Sequence, residues 1–198
     1  MEVVAISGQL RTALGKAAAK AVRKEERIPC VIYGGGEAIH FTVAEKDIRD
    51  LIYTPDFKVA DVTVSGKSYR CFVKDVQWHP VTDKITHLDF LRLIDGAPVK
   101  VEIPLRFKGV SPGVKNGGKL LQKLRRVKIK TTPEHLINEM GIDISQLELG
   151  QSIRVRDIDS AHENIEVLNS PGVPVASVEV PRALRSATAA AEKAEKSK

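Results

Sequence analysis

Between residues 28 and 94 the sequence alternates apolar stretches of strand length with clusters whose chemistry is that of turns. Residues 30–33, 39–43, 58–64, 69–78 and 84–94 read as strands, and a further short strand is expected at 3–6. Ser65-Gly66-Lys67 and His79-Pro80-Val81-Thr82-Asp83 supply the glycine, proline and short polar side chains that tight turns use. Residues 15–27 have the Ala, Lys and Arg content of a helix, which Pro29 is expected to end by biasing Ile28 toward extended geometry. Residues 44–53 read as a second helix, because Ile48, Leu51 and Ile52 recur at i, i+3 and i+4 and so share one face, and Pro55 closes it. Short strands joined by tight turns, with two helices among them, point to a small β-barrel over residues 1–94.

Asp95-Gly96-Ala97-Pro98 interrupts that pattern, and a second, mainly β domain is expected over residues 95–182. It opens with Val99, Val101, Ile103, Leu105 and Phe107 alternating with Lys100, Glu102, Pro104 and Arg106, the period of a half-buried strand. Pro104 has no N–H to give a ladder, which predicts an edge strand or a bulge. Residues 126–130 read as a strand with Val127 and Ile129 inward, and residues 173–180 as a closing strand. From residue 183 the chain is rich in Ala, Lys, Glu and Ser, a composition that buries little apolar surface and predicts a flexible tail over 183–198. The fold class expected is therefore mainly β (α+β): an N-terminal small β-barrel with helices, a mainly β C-terminal domain, and the tail.

Composition narrows the partners. A net charge of +6 and a pI near 9.3 favour an acidic one, nucleic acid or an anionic surface. No run approaches the roughly 18 apolar residues of a membrane span, and the N-terminal residues lack the pattern of a signal peptide, so the expected location is the cytoplasm. Cys30 and Cys71 lie in separate apolar runs without metal-ligand or redox spacing, which predicts two buried thiols and no metal. No cofactor is expected.

The charge is not spread evenly. Residues 11–27 hold six Lys/Arg and two acids, and run into a strand that ends at Tyr33 and Gly34-Gly35-Gly36. On a helix Lys16, Lys20, Arg23, Lys24 and Arg27 form a stripe at i, i+4 and i+7. Such a segment suits structured RNA, where cations neutralise phosphate and a ring stacks on a base or ribose; on its own it suits a solvated, Lys-rich surface helix better. The glycine run lacks the Gly-Lys-Ser/Thr of a phosphate loop and reads as a hairpin turn. In KITHLDFL, His87 and Asp89 are two apart, so a strand projects both to one face and Leu88 and Phe90 to the other. That pair admits a catalytic couple, though no activated nucleophile stands nearby; a structural hydrogen bond; or an RNA contact. Residues 115–130 carry seven Lys/Arg and no acid, which fits either a contact with neighbouring RNA or protein or a charge-guarded sheet edge.

Taken together, Arg11, Arg23, Tyr33, His87 and Asp89, in the frame R-x-x-x-G-K, a basic helix, IPCVIYGG, QWHP and HLDFL, resemble the bacterial ribosomal proteins that bind 5S rRNA. The chain is similar to the two-domain form of the large-subunit ribosomal protein twenty-five family, also called the general stress protein Ctc family. The likeness is strongest over residues 1–94 and continues through GVSPGVKNGGKL and DISQLELGQSI. It implies a non-enzymatic constituent of the large ribosomal subunit that holds 5S rRNA in the central protuberance, near 23S rRNA and neighbouring proteins, with no small-molecule substrate. It implies that Arg11 and Arg23 contact phosphate or sugar oxygens, that Tyr33 sits against the RNA backbone, and that His87 and Asp89 complete the surface. Lys16, Lys20, Lys24, Gly34 and Gly35 are its expected neighbours.

Overall fold

The computed structural model describes residues 2–158 and 165–181; the expected tail at 183–198 lies outside the described residues. The described chain forms two compact units, one holding the residues up to Val101 together with Thr131–Asn138, the other Glu102–Lys130 and the described residues from Glu139 onward.

The first unit is a closed six-stranded barrel with strand order β1 (Val3–Leu10), β3 (Ile39–Ala44), β2 (Arg27–Tyr33), β6 (Ile85–Arg92), β5 (Lys67–Trp78) and β4 (Val59–Val64). Closure is made by β1 lying parallel to β4, from Val3 opposite Val59 to Gly8 opposite Val64. Closing the sheet removes every free edge from this half of the molecule. Alternate side chains fill the interior: Ile28, Cys30 and Ile32 from β2, Phe41 and Val43 from β3, Val62 and Val64 from β4, Leu88 and Phe90 from β6. Ile48 and Leu51, from a 3-10 turn (Glu45–Ile48) and the short helix α2 (Arg49–Ile52), join that core, and Ile52 packs against it.

β1 and β2 are both antiparallel to β3, so they run the same way and the chain must travel back between them. Helix α1 (Lys16–Lys24) is that return segment. Ala17, Ala18 and Ala19 favour helix, and Arg23 and Lys24 in the last turn suit the negative end of its dipole. The helix stops earlier than the sequence suggests. Glu25 caps it, Glu26 takes a left-handed φ of 57°, and Arg27 already begins β2. Pro29 is thus inside a strand rather than a helix stop; it stands one residue before the pairing of β2 with β6 begins at Cys30. Arg27 accordingly leaves the helical stripe: its Nε and Nη2 donate to the Oγ1 and carbonyl of Thr42, both at 3.1 Å.

Beyond the barrel the chain forms a four-stranded sheet, β10 (Met140–Asp143), β7 (Val99–Lys108), β9 (Arg126–Thr131) and β12 (Glu166–Val167), and a three-stranded sheet, β11 (Ser152–Arg154), β13 (Pro174–Glu179) and β8 (Lys119–Gln122). Val99, Val101, Ile103 and Leu105 are buried as their alternation predicts, and so are Val127 and Ile129. Pro104 departs from expectation, for β7 is an interior strand and Pro104 itself is buried. Its missing N–H is tolerated because β10 pairs with β7 only from Leu105 onward. Ser111 opens the short helix α3 (Pro112–Lys115), its Oγ accepting from the Val114 N–H and donating to the Leu147 carbonyl.

Candidate nucleic-acid interface

β6 carries the centre of the surface. Leu88 and Phe90 turn into the barrel, which leaves His87 and Asp89 facing outward together. His87 Nδ1 lies 2.6 Å from Asp89 Oδ1. An ionised carboxylate only accepts, so Nδ1 carries the hydrogen and Nε2 is the nitrogen left for a ligand, an acceptor in the neutral ring and a donor in the charged one. On either side, Asp89 stands in register with Val31 of β2 and Asp75 of β5, and His87 with Gln77. His40 of β3 faces Val31 in turn.

Tyr33 ends β2 on the same outward side as Val31, opposite Leu91. Partial burial pushes its phenol above the ordinary value, and the carboxylates of Asp89 and Asp75 push it further the same way. The hydroxyl therefore stays protonated through neutral pH, able to donate. Just beyond it Gly34, Gly35 and Gly36 form the hairpin to β3 with φ of 90°, 122° and 117°. A Cβ on Gly34 would stand 2.8 Å from Leu91 Cδ1. These glycines are explained by the turn, and the backbone they expose lies beside Tyr33.

α1 joins the surface through Arg23, whose Nε donates to the Thr86 carbonyl at 3.0 Å, while Thr86 Oγ1 donates to the Gln77 carbonyl at 3.0 Å. Helix, β6 and β5 are tied at one point, next to His87. With Nε so used, the two Nη groups of Arg23 have no partner among the described residues. Lys16, Lys20 and Lys24 are exposed, and Ala18, Ala19 and Val22 form the less exposed side of the helix.

Arg11 differs from the other cations. It is half-buried between β1 and α1, its N–H donating to the His40 carbonyl at 2.9 Å and its Nη2 to the Ala13 carbonyl at 3.3 Å, while Nε is buried without a partner among the described residues. Its charge and that of Asp89 both reach the Cys30 thiol, Arg11 lowering and Asp89 raising a pKa that burial has already pushed far up. Cys30 and Cys71 are buried free thiols, as their apolar surroundings predict. Among the described residues no group of His, Cys, Asp or Glu is arranged to hold a metal ion, and no helix is long and apolar enough to cross a membrane.

The structure brings Arg23, Tyr33, His87 and Asp89 onto one patch of α1, β2 and β6, with Arg11 set deeper beside β1. Three surface residues escaped the sequence reading. Asp75 and His40 sit on either flank because of strand order, which no local pattern announces. Trp78 follows Gln77 on β5, and its one signal was a large aromatic in the polar QWHP turn.

Residues 6–90 match the Ribosomal L25p family, and residues 98–182 match the C-terminal domain of ribosomal protein TL5. A large ribosomal subunit protein bL25 of Cytophaga hutchinsonii is 42% identical over 193 residues, covering 98% of this chain and all of its own length. The bL25 of Porphyromonas gingivalis is 40% identical over 189 residues, covering 94% of this chain and 97% of its own, and that of Bacteroides fragilis is 36% identical over 198 residues, covering 98% and 100%. The chain belongs to the ribosomal protein L25p family. Membership makes it a structural ribosomal protein of the cytoplasmic ribosome and not an enzyme, which sets aside the catalytic reading of His87 and Asp89.

Proposed function

We propose that the barrel binds 5S rRNA within the large ribosomal subunit, with α1 neutralising phosphates and the outward face of β2 and β6 reading the shape of the RNA. The observation that carries the reading is the convergence of four chemically suited side chains from three elements: Arg23, hydrogen-bonded to Thr86, beside the His87–Asp89 pair and Tyr33. The relatives, named as large-subunit proteins over nearly their full length, support it independently.

Each group has a distinct task. Arg23 is anchored through Nε, so its outer edge presents two Nη groups to a phosphate at little ordering cost. Lys16, Lys20 and Lys24 add charge without sequence reading. Asp89 holds the His87 ring and offers its second oxygen to a base amino group or a 2′-hydroxyl, and the Tyr33 hydroxyl donates to the backbone beside the Gly34-Gly35 turn. Arg11, half-buried with its Nη2 on the Ala13 carbonyl, adds its charge from the β1 side. Neighbouring 23S rRNA and proteins of the central protuberance are the surroundings this placement implies.

Titration of the purified chain with 5S rRNA and with a tRNA control, at several salt concentrations and alongside Arg23→Ala, tests the proposal. The expected result is 5S-selective binding that weakens with salt and with the substitution; equal, weak binding to both RNAs would overturn it.

A further inference from the structure

The topology of the barrel gathers four chain segments at one rim. β2 and β6 are parallel and begin there, while β3 and β5, antiparallel to them, finish there. Trp78 closes β5 at this rim, and Tyr53 follows α2, which continues from the end of β3. Trp78 is the chain's single tryptophan. The two rings meet edge to face, with centroids 6.0 Å apart and planes at 68°. Yet Trp78 stays 44% exposed and Tyr53 55% exposed, a large apolar surface for a barrel to leave in water.

The hairpin behind Trp78 is stiff. His79 Nδ1 accepts from the N–H groups of Val81 and Thr82 at 3.3 and 3.2 Å, the His79 N–H donates to the Lys84 carbonyl at 2.8 Å, and the Asp83 N–H donates to the His79 carbonyl at 3.0 Å. An edge-to-face pair also leaves a ring face uncovered. The site is continuous with the RNA surface: Gln77, just before Trp78, is in register with His87, and its carbonyl takes the Thr86 hydroxyl whose own carbonyl holds Arg23.

We propose that Tyr53 and Trp78 form a stacking platform for an unpaired nucleobase at the rim of the RNA-binding face, an inference that rests on the function proposed above and extends it to a contact made by π surface. The two segments that carry these rings add no charge excess of their own: exposed Arg49 and Lys84 are each next in sequence to an exposed acid, Asp50 and Asp83. Stacking on aromatic side chains is the usual fate of a splayed-out RNA base and needs no such excess.

The test uses the full-length chain and 5S rRNA, with two readouts: indole emission, which reports Trp78 alone, and affinity by filter retention over a salt series. Emission should change saturably in step with binding. Trp78→Ala should weaken binding by about 5- to 100-fold, the range for one stacked base, at an unchanged salt slope, while Trp78→Phe keeps most of the affinity. Unfolding midpoints of both variants verify the fold. A saturated complex whose emission is unchanged, or a folded Trp78→Ala that binds within about twofold of the parent, overturns the platform and leaves the 5S rRNA reading standing. Absence of selective binding by the parent chain overturns both.

Discussion

The 2.6 Å contact between His87 and Asp89 does two things at once: it fixes which imidazole nitrogen points outward, and it leaves one carboxylate oxygen free of the ring. Removing either side chain frees its partner to rotate as well as deleting its own contact. His87→Ala and Asp89→Ala should therefore each weaken 5S rRNA binding by about 1–3 kcal/mol, the scale of losing a charge-assisted hydrogen bond, with circular dichroism unchanged because both side chains face outward. Asp89→Asn still accepts from Nδ1 and should lose less than Asp89→Ala. Affinity equal to the parent's in both alanine variants, measured by titration, removes the pair from the interface. The sequence showed that the two share a face, since spacing by two on a strand sets one, but left open whether they bond to each other. It could not show that Asp75 stands across from Asp89, because that neighbour is fixed by the register of β5 on β6.

At the scale of elements, α1 supplies charge and the strands supply shape. Lys16, Lys20, Arg23 and Lys24 remain on the helix, whereas Arg27 is committed to Thr42 inside the sheet. If about four to six phosphates are neutralised by the helix and its neighbours, log affinity should fall against log salt with a slope of roughly 3 to 5, and Lys20→Ala should lower that slope by about 1 without changing selectivity. An unchanged slope would take Lys20 off the RNA.

The helix also marks where local sequence misleads. Ala and Lys content locates it, but a proline after a basic run resembles a helix stop and so suggests a helix running to residue 27, while the chain in fact ends it at Lys24, ahead of a left-handed Glu26. β1 proved longer than its apolar start suggests, since Ser7, Gly8 and Gln9 pair in the sheet without contributing apolar side chains. β8, β10, β11 and β12, of two to four residues each, carry too few positions for a period to emerge. Gly8 is required by packing: a Cβ there would lie 2.6 Å from Phe41 Cδ2, a ring fully buried in the barrel. Gly8→Ala should cost about 1–3 kcal/mol of overpacking, read by chemical denaturation. A neutral outcome would mean that the ring shifts without strain.

For the molecule as a whole, a barrel that presents a binding face must keep its interior neutral, and the two cysteines show how far this one does so. Both thiols are fully buried in the barrel core. Burial pushes Cys71 from an ordinary 9.0 to about 12, with Asp61 adding to the rise, and Cys30 is pushed up further still. The consequence follows from proton linkage. Below the unfolded thiol's pKa both states hold the proton, and the thiols impose no penalty. Above it the unfolded chain releases protons that the folded barrel retains, so the thiol contribution to stability is lost as pH rises from about 9 through about 12. The raised phenol of Tyr33 acts in the same direction. Denaturation midpoints should accordingly fall above pH ~9, and Cys71→Ala, although less stable at neutral pH for want of a buried sulfur, should fall less steeply. The slope against pH isolates ionisation, whereas the neutral-pH offset reports the cavity. Below pH ~9, both thiols should resist aromatic disulfide reagents until the chain is unfolded. Parallel alkaline slopes for parent and Cys71→Ala, or prompt reaction of the native thiols, would mean that water reaches the barrel interior, and with it that the strands behind His87, Asp89 and Tyr33 are not the rigid backing that pre-organised RNA binding requires.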